Sequence, residues 1–103
     1  MEQKISVKKQ DIKEGEVAEA EAQGKKFAVV MQSGNIYVLS GTCTHEGGPL
    51  GQGSLDNNEL ICPWHSGAYN ITNGKADENT PWVTDIDSYK VRIDGNGDIF
   101  IDM

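Results

Sequence analysis

The stretch CTHEGGPL at residues 43–50, taken with CPWHSGAY at residues 62–69, decides how this 103-residue chain is read. The sequence holds two cysteines and two histidines, and these stretches contain all four: Cys43, His45, Cys62 and His65. Thiolate sulfur and imidazole nitrogen are donors suited to zinc and iron–sulfur centres. Their order is Cys43-x-His45, a spacer of sixteen residues, then Cys62-x-x-His65. Each half offers one thiolate and one imidazole, close enough along the chain to converge on one centre. Glycines at 47, 48, 51 and 53 let the first stretch fold tightly and bring backbone amides toward a ligand. In the second, Pro63 holds the turn and Gly67 relieves crowding just past His65.

Outward from these stretches the periodicity is that of short strands. KISVKK (residues 4–9) places Ile5 and Val7 on one face, and DIKEGE (11–16) follows as a turn. VAEAEA (17–22) alternates as a half-exposed strand does. A helix there is the competing reading, since Ala and Glu favour helices, but Gly24 stops the run early. KKFAVVMQ (25–32) and NIYVLS (35–40) flank Ser33-Gly34 and predict a hairpin. ELICP (59–63) is a short run into the second Cys/His stretch. SYKVRID (88–94) puts Tyr89, Val91 and Ile93 on one face. After the turn GNG, DIFIDM (98–103) does the same with Ile99 and Ile101, closing a second hairpin. Residues 41–58 and 66–84 read as long irregular stretches bracketing the Cys/His positions. Loops longer than about 12–15 residues in a compact domain are usually functional. The expectation is one all-β domain over residues 1–103 with its chemistry on two or three loops.

Nine basic against sixteen acidic side chains give a formal charge of −7, which argues against a nucleic-acid surface. The acids are spread along the chain, as on a solubilising surface, and would also steer it toward a basic partner. No run approaches eighteen apolar residues, so no membrane span is expected. The opening MEQKISVKKQ lacks the apolar region of a secretory signal. The expected compartment is cytoplasmic, where a cysteine beside a histidine suits metal binding better than a disulfide.

Zinc accepts two cysteines and two histidines, but its usual signature places the cysteines together and then the histidines together. A Rieske centre puts two cysteines on one iron and two histidines on the other, which suits a mixed pair on each stretch. On these residues the chain resembles the Rieske [2Fe-2S] family, whose pattern is Cys-x-His, a spacer, and Cys-x-x-His. CTHEGGPLGQGSL and CPWHSGAYNITNGK resemble the two cluster loops of stand-alone Rieske ferredoxins almost throughout, and the length and strand order fit as well. The resemblance implies a Rieske-like antiparallel β-sandwich with a cluster-binding subdomain formed by the two loops. It implies one [2Fe-2S] cluster, with Cys43 and Cys62 on one iron and His45 and His65 on the other. A colourless zinc-stabilised binding module stays the alternative.

Family members of high potential join their loops by a disulfide, at positions that match Gly48 and Trp64 here, so none is expected. They also place a serine two residues after the last histidine, where this chain has Gly67; Ser66, one residue early, is not credited with that role. Tyr69 stands where those members have a tyrosine that hydrogen-bonds a ligand sulfur, the alternative being a core aromatic with its hydroxyl in solvent. With two of three such devices missing, the expected potential lies toward the low end of the roughly −150 to +300 mV Rieske range, lifted somewhat by Tyr69. Two ferric ions, two sulfides and two thiolates sum to zero charge, and reduction leaves one negative charge. The potential should then fall with rising pH once the oxidised form sheds the outer N–H protons of His45 and His65. Pro81 is expected in a third loop shielding the cluster, or else in an ordinary turn. Trp64 and Trp82 read as an aromatic lid over a small core or as a docking face, and Leu50 as an apolar cover.

The function implied is a one-electron carrier between an NAD(P)H-dependent flavoprotein reductase and an oxygenase component or related terminal oxidoreductase. Electron-transfer contacts are small, so a monomer presenting the His45/His65 end is expected. A small accessory subunit whose cluster senses redox state is the second reading. Catalysis on an organic substrate is not expected: a mononuclear iron facial triad needs two more histidines, and no spare nucleophile–base pair is present.

Overall fold

The computed structural model describes residues 2–44, 47–64 and 66–102. Ten strands among them form three sheets, every pairing antiparallel. Strands β1 (Glu2–Lys8), β9 (Val91–Ile93) and β10 (Asp98–Asp102) make a basal sheet in the order β1-β10-β9. Strands β2 (Val17–Ala22), β3 (Lys25–Gln32), β4 (Asn35–Ser40) and β8 (Ser88–Tyr89) make a central sheet in that order. The third sheet is β5 (Ser54–Asp56), β6 (Glu59–Ile61) and β7 (Ala68–Asn70). No helix of the described residues is long and apolar enough to cross a membrane.

The helical reading of Val17–Ala22 gives way to a strand because a ladder partner is at hand. It pairs residue for residue with β3, from Val17↔Val30 to Ala22↔Lys25, and buries Ala20 and Ala22. Tertiary pairing outweighs the helix preference of Ala and Glu. Gln23 and Gly24 make the reversal with φ of 50° and 78°, and Ser33 and Gly34 repeat it at 54° and 77°. Two left-handed residues give the turn whose twist matches that of the flanking strands.

The central sheet is covered on both faces. Phe27, Val29, Met31, Ile36 and Val38 point into one core with Ile5, Ile99 and Ile101 of the basal sheet. Ala28, Val30 and Leu39 point into another, shared with Leu50, Leu60, Tyr69 and both cysteines. Burial on both faces is why β3 is apolar without interruption from Phe27 to Met31.

Two expectations are corrected. Residues 41–58 and 66–84 are less irregular than the sequence suggests, since β5 and β7 lie within them. SYKVRID is not one strand: Tyr89 pairs with Val38 in the central sheet and Val91 with Ile101 in the basal sheet, so the chain changes sheets at Lys90. The Lys90 carbonyl accepts the Asp102 N–H at 3.1 Å. Tyr89, Val91 and Ile93 still pack on one core, Tyr89 edge-on to Phe27 with ring centroids 5.2 Å apart.

Candidate metal centre

The two cysteine loops share one hairpin plan. Thr42 pairs with Pro49 across the first and Ile61 with Ala68 across the second. The next residue in each is the cysteine, which donates its N–H to a glycine carbonyl: Cys43 to Gly48 and Cys62 to Gly67, both at 2.8 Å. The residue before that glycine is left-handed in both, Gly47 at φ 73° and Ser66 at φ 57°. The loops thus match position for position around Cys43 and Cys62. The histidines break the match, because His45 stands two residues past its cysteine and His65 three. His45 and His65, together with Glu46, lie outside the described residues.

Cys43 and Cys62 sit 3% and 2% exposed in one apolar cluster, and neither forms a disulfide. The Trp64 N–H points at Cys62 Sγ from 3.4 Å. Burial pushes the Cys62 thiol above its ordinary range and the neighbouring Cys43 adds to this, while the Trp64 N–H opposes it. A metal cation removes that obstacle by deprotonating coordinated thiols outright. Close approach demands glycine at both loop ends. A Cβ at Gly48 would stand 2.8 Å from Cys62 Sγ and 3.3 Å from Trp64 Cβ. One at Gly67 would stand 2.6 Å from Val83 Cγ1. Gly48 and Trp64 therefore do face each other across the loops. Trp64 and Trp82 are the exposed large apolar side chains among the described residues, at 48% and 44%.

Tyr69 is fully buried, which excludes a hydroxyl in solvent. Its oxygen lies 3.3 Å from Cys43 Sγ and accepts the Thr44 N–H at 3.2 Å. Burial first, and then Cys43 beside it, push the phenol up to about 12, so it stays protonated. Ser66 is exposed and Gly67 buried. A third loop, residues 77–87, backs the other two. Thr80 Oγ1 accepts the Ala68 N–H at 3.3 Å and donates to the Asp77 carbonyl at 3.1 Å. Val83 is buried against Gly67, and Thr84 N–H donates to Thr44 Oγ1 at 2.9 Å. Pro81 belongs to this loop but is exposed; the threonines and Val83 make the contacts. Leu50 is buried in the cysteines' cluster, as a cover should be. Thr44, Thr80 and Thr84 were not singled out by sequence, where threonine has no spacing that marks it.

At the start of β6, Glu59 is pushed up to about 7, first by its hydrogen bond with Asp77, then by burial and the charges of Asp77 and Asp56. The same bond holds Asp77 below its ordinary value.

Two buried cysteines on matched hairpin loops, each with a hydrogen-bonding group at its sulfur, mark this as an all-β protein with two thiols gathered at one end. Residues 3–90 match the Rieske [2Fe-2S] domain, and the chain belongs to that family of iron–sulfur proteins. It is 37% identical over 84 residues to the ferredoxin component of the naphthalene 1,2-dioxygenase/salicylate 5-hydroxylase systems of Ralstonia sp, spanning 82% of this chain and 80% of that one. The structure of the Sphingomonas yanoikuyae B1 ferredoxin matches with TM-score 0.83 at 29% identity, covering 93% of each chain. A complex of reduced oxygenase and oxidized ferredoxin in carbazole 1,9a-dioxygenase contains a chain that matches with TM-score 0.83 at 25% identity, over 97% of this chain and 91% of that one.

Proposed function

We propose that this chain is a Rieske-type ferredoxin, a one-electron carrier whose single [2Fe-2S] cluster is held by Cys43 and Cys62 on one iron and His45 and His65 on the other. The observation that carries this is the pair of matched loops, which bring two buried sulfurs onto one apolar core. The residues fit the group: the sulfurs form no disulfide, they adjoin, and each has a hydrogen-bond partner. When bound, the cluster supplies a site that gains and loses one electron. The chain does the rest. Trp64 N–H and Tyr69 O–H favour the more negative reduced state by donating to sulfur, and Leu39, Leu50 and Leu60 keep water from the cysteines.

The Ralstonia relative is named as a component of a dioxygenase system, and the carbazole complex pairs a ferredoxin with an oxygenase. By that likeness the electron comes from an NAD(P)H-dependent flavoprotein reductase and goes to an oxygenase component or related terminal oxidoreductase. The chain then acts as one cytoplasmic domain over residues 1–103, a monomer within an oxidoreductase system, with no nucleic acid or membrane as partner. Visible absorption and low-temperature EPR of the dithionite-reduced protein test the cluster. The expected result is a red-brown protein with a rhombic signal whose average g lies below that of all-cysteine clusters. A colourless protein with one zinc per chain overturns it.

A further inference from the structure

Tyr69 has one hydroxyl proton and two acceptors within reach. Its oxygen lies 3.3 Å from Cys43 Sγ and 3.1 Å from Thr44 Oγ1, and one of its lone pairs is taken by the Thr44 N–H. Thr44 Oγ1 is held by the third loop in both directions. It accepts the Thr84 N–H at 2.9 Å and donates its own proton to the Thr84 carbonyl at 3.2 Å. While that proton lies on the Thr84 carbonyl, Oγ1 keeps a free lone pair and has nothing to give Tyr69. Thr44 therefore competes with the Cys43 sulfur for the Tyr69 proton. If the Thr84 carbonyl withdraws, the Thr44 proton turns to Tyr69, and the sulfur becomes the sole acceptor of the Tyr69 proton.

We propose that Thr44 is a positioning residue that makes the hydrogen bond on the Cys43 sulfur depend on where the third loop sits. The proposal rests on the reading of Cys43 as a cluster ligand. Donors to ligand sulfur raise the potential of an iron–sulfur centre. The docked loop holds the potential down, and a displaced loop lets it rise. The linkage runs both ways: reduction makes the sulfur a better acceptor and loosens the hold of Thr84 on Thr44. Thr44 is exposed, and so is Trp82 on the third loop, so a partner pressing on this surface reaches the network directly.

Thr44→Val removes the hydroxyl at nearly constant volume, and Thr44→Ser keeps it. Voltammetry of the cluster-loaded proteins should show Thr44→Val raising the reduction equilibrium constant about three- to tenfold, tenfold being about 59 mV for one electron. Thr44→Ser should match the parent. In a Tyr69→Phe background, Thr44→Val should add nothing. Hydrogen exchange over residues 77–87, read by mass spectrometry with and without cluster, should quicken in Thr44→Val and not in Thr44→Ser. An unchanged or lowered potential in Thr44→Val, or a shift that survives in Tyr69→Phe, overturns the proposal. A chain that takes up no cluster sinks the carrier reading instead, and exchange over the third loop then decides by itself whether Thr44 holds Thr84.

Discussion

The β3–β4 hairpin separates two cores of different construction. On the basal side, Phe27, Val29, Met31, Ile36 and Val38 meet Ile5, Ile99 and Ile101, large side chains on strands of five to eight residues. On the cysteine side, the same hairpin presents the smaller Ala28, Val30 and Leu39 to strands of three residues and to loops. The basal core is held by apolar volume, and its backbone serves to align side chains. The cysteine side has an apolar core of its own and adds hydrogen bonds between loops, with glycines placed so that two sulfurs can meet. Damage to the first should cost stability and spare the chemistry. Damage to the second should cost the chemistry first.

The largest effect is expected from Cys43→Ser or Cys62→Ser, which should abolish iron uptake and visible absorption while far-UV circular dichroism keeps its β signature. Loss of the β signature as well would show that the two sides are one unit. Phe27→Ala should come next, lowering stability by about 3–5 kcal/mol in urea titrations, with the EPR signal of the remaining folded protein unchanged. A changed signal would break the comparison. Gly48→Ala drives a Cβ to 2.8 Å from Cys62 Sγ. Its cost to the chain without metal should be about 1–3 kcal/mol, as for other overpacked sites, with a larger proportional loss in iron content per chain. Tyr69→Phe removes one donor at constant shape and should lower the potential by about 40 mV, the equivalent of a net hydrogen bond of about 1 kcal/mol.

The smallest effect concerns pH. Glu59 is raised to about 7 in the folded chain by its bond with Asp77. A carboxyl raised on folding stabilises fully below its unfolded value and loses that contribution as pH rises through the folded one. Tm should therefore fall slightly between pH 5 and pH 8, and Glu59→Gln should flatten that slope. Asp77, lowered by the same bond, acts in the opposite sense, but only as pH falls below the ordinary carboxylate range.

The same division governs what the sequence discloses. The β3–β4 turn and the alternation of β1 and β10 are legible because long strands repeat their pattern often enough to be recognised. The three-residue β5 and β7 are too short to show a period, so they vanish into the stretches read as irregular. The change of sheet at Lys90 is hidden for another reason: Tyr89, Val91 and Ile93 keep alternating straight through it, because both halves face one core. Cys43 and Cys62 are legible through their rarity and spacing. Thr44, Thr80 and Thr84 act through backbone partners far away in sequence, and no local pattern announces such a role.

The pairing of β1 with β10 joins Glu2 to Asp102 and so spans nearly the whole described chain. Contacts so distant in sequence are slow to form, and in a chain emerging from the ribosome this one is available only after everything between has been made. Both cysteine loops and the short sheet that carries them use partners no more than a few tens of residues apart. During synthesis the cysteine end can thus take shape while the base still gapes, and β10 closes the base last.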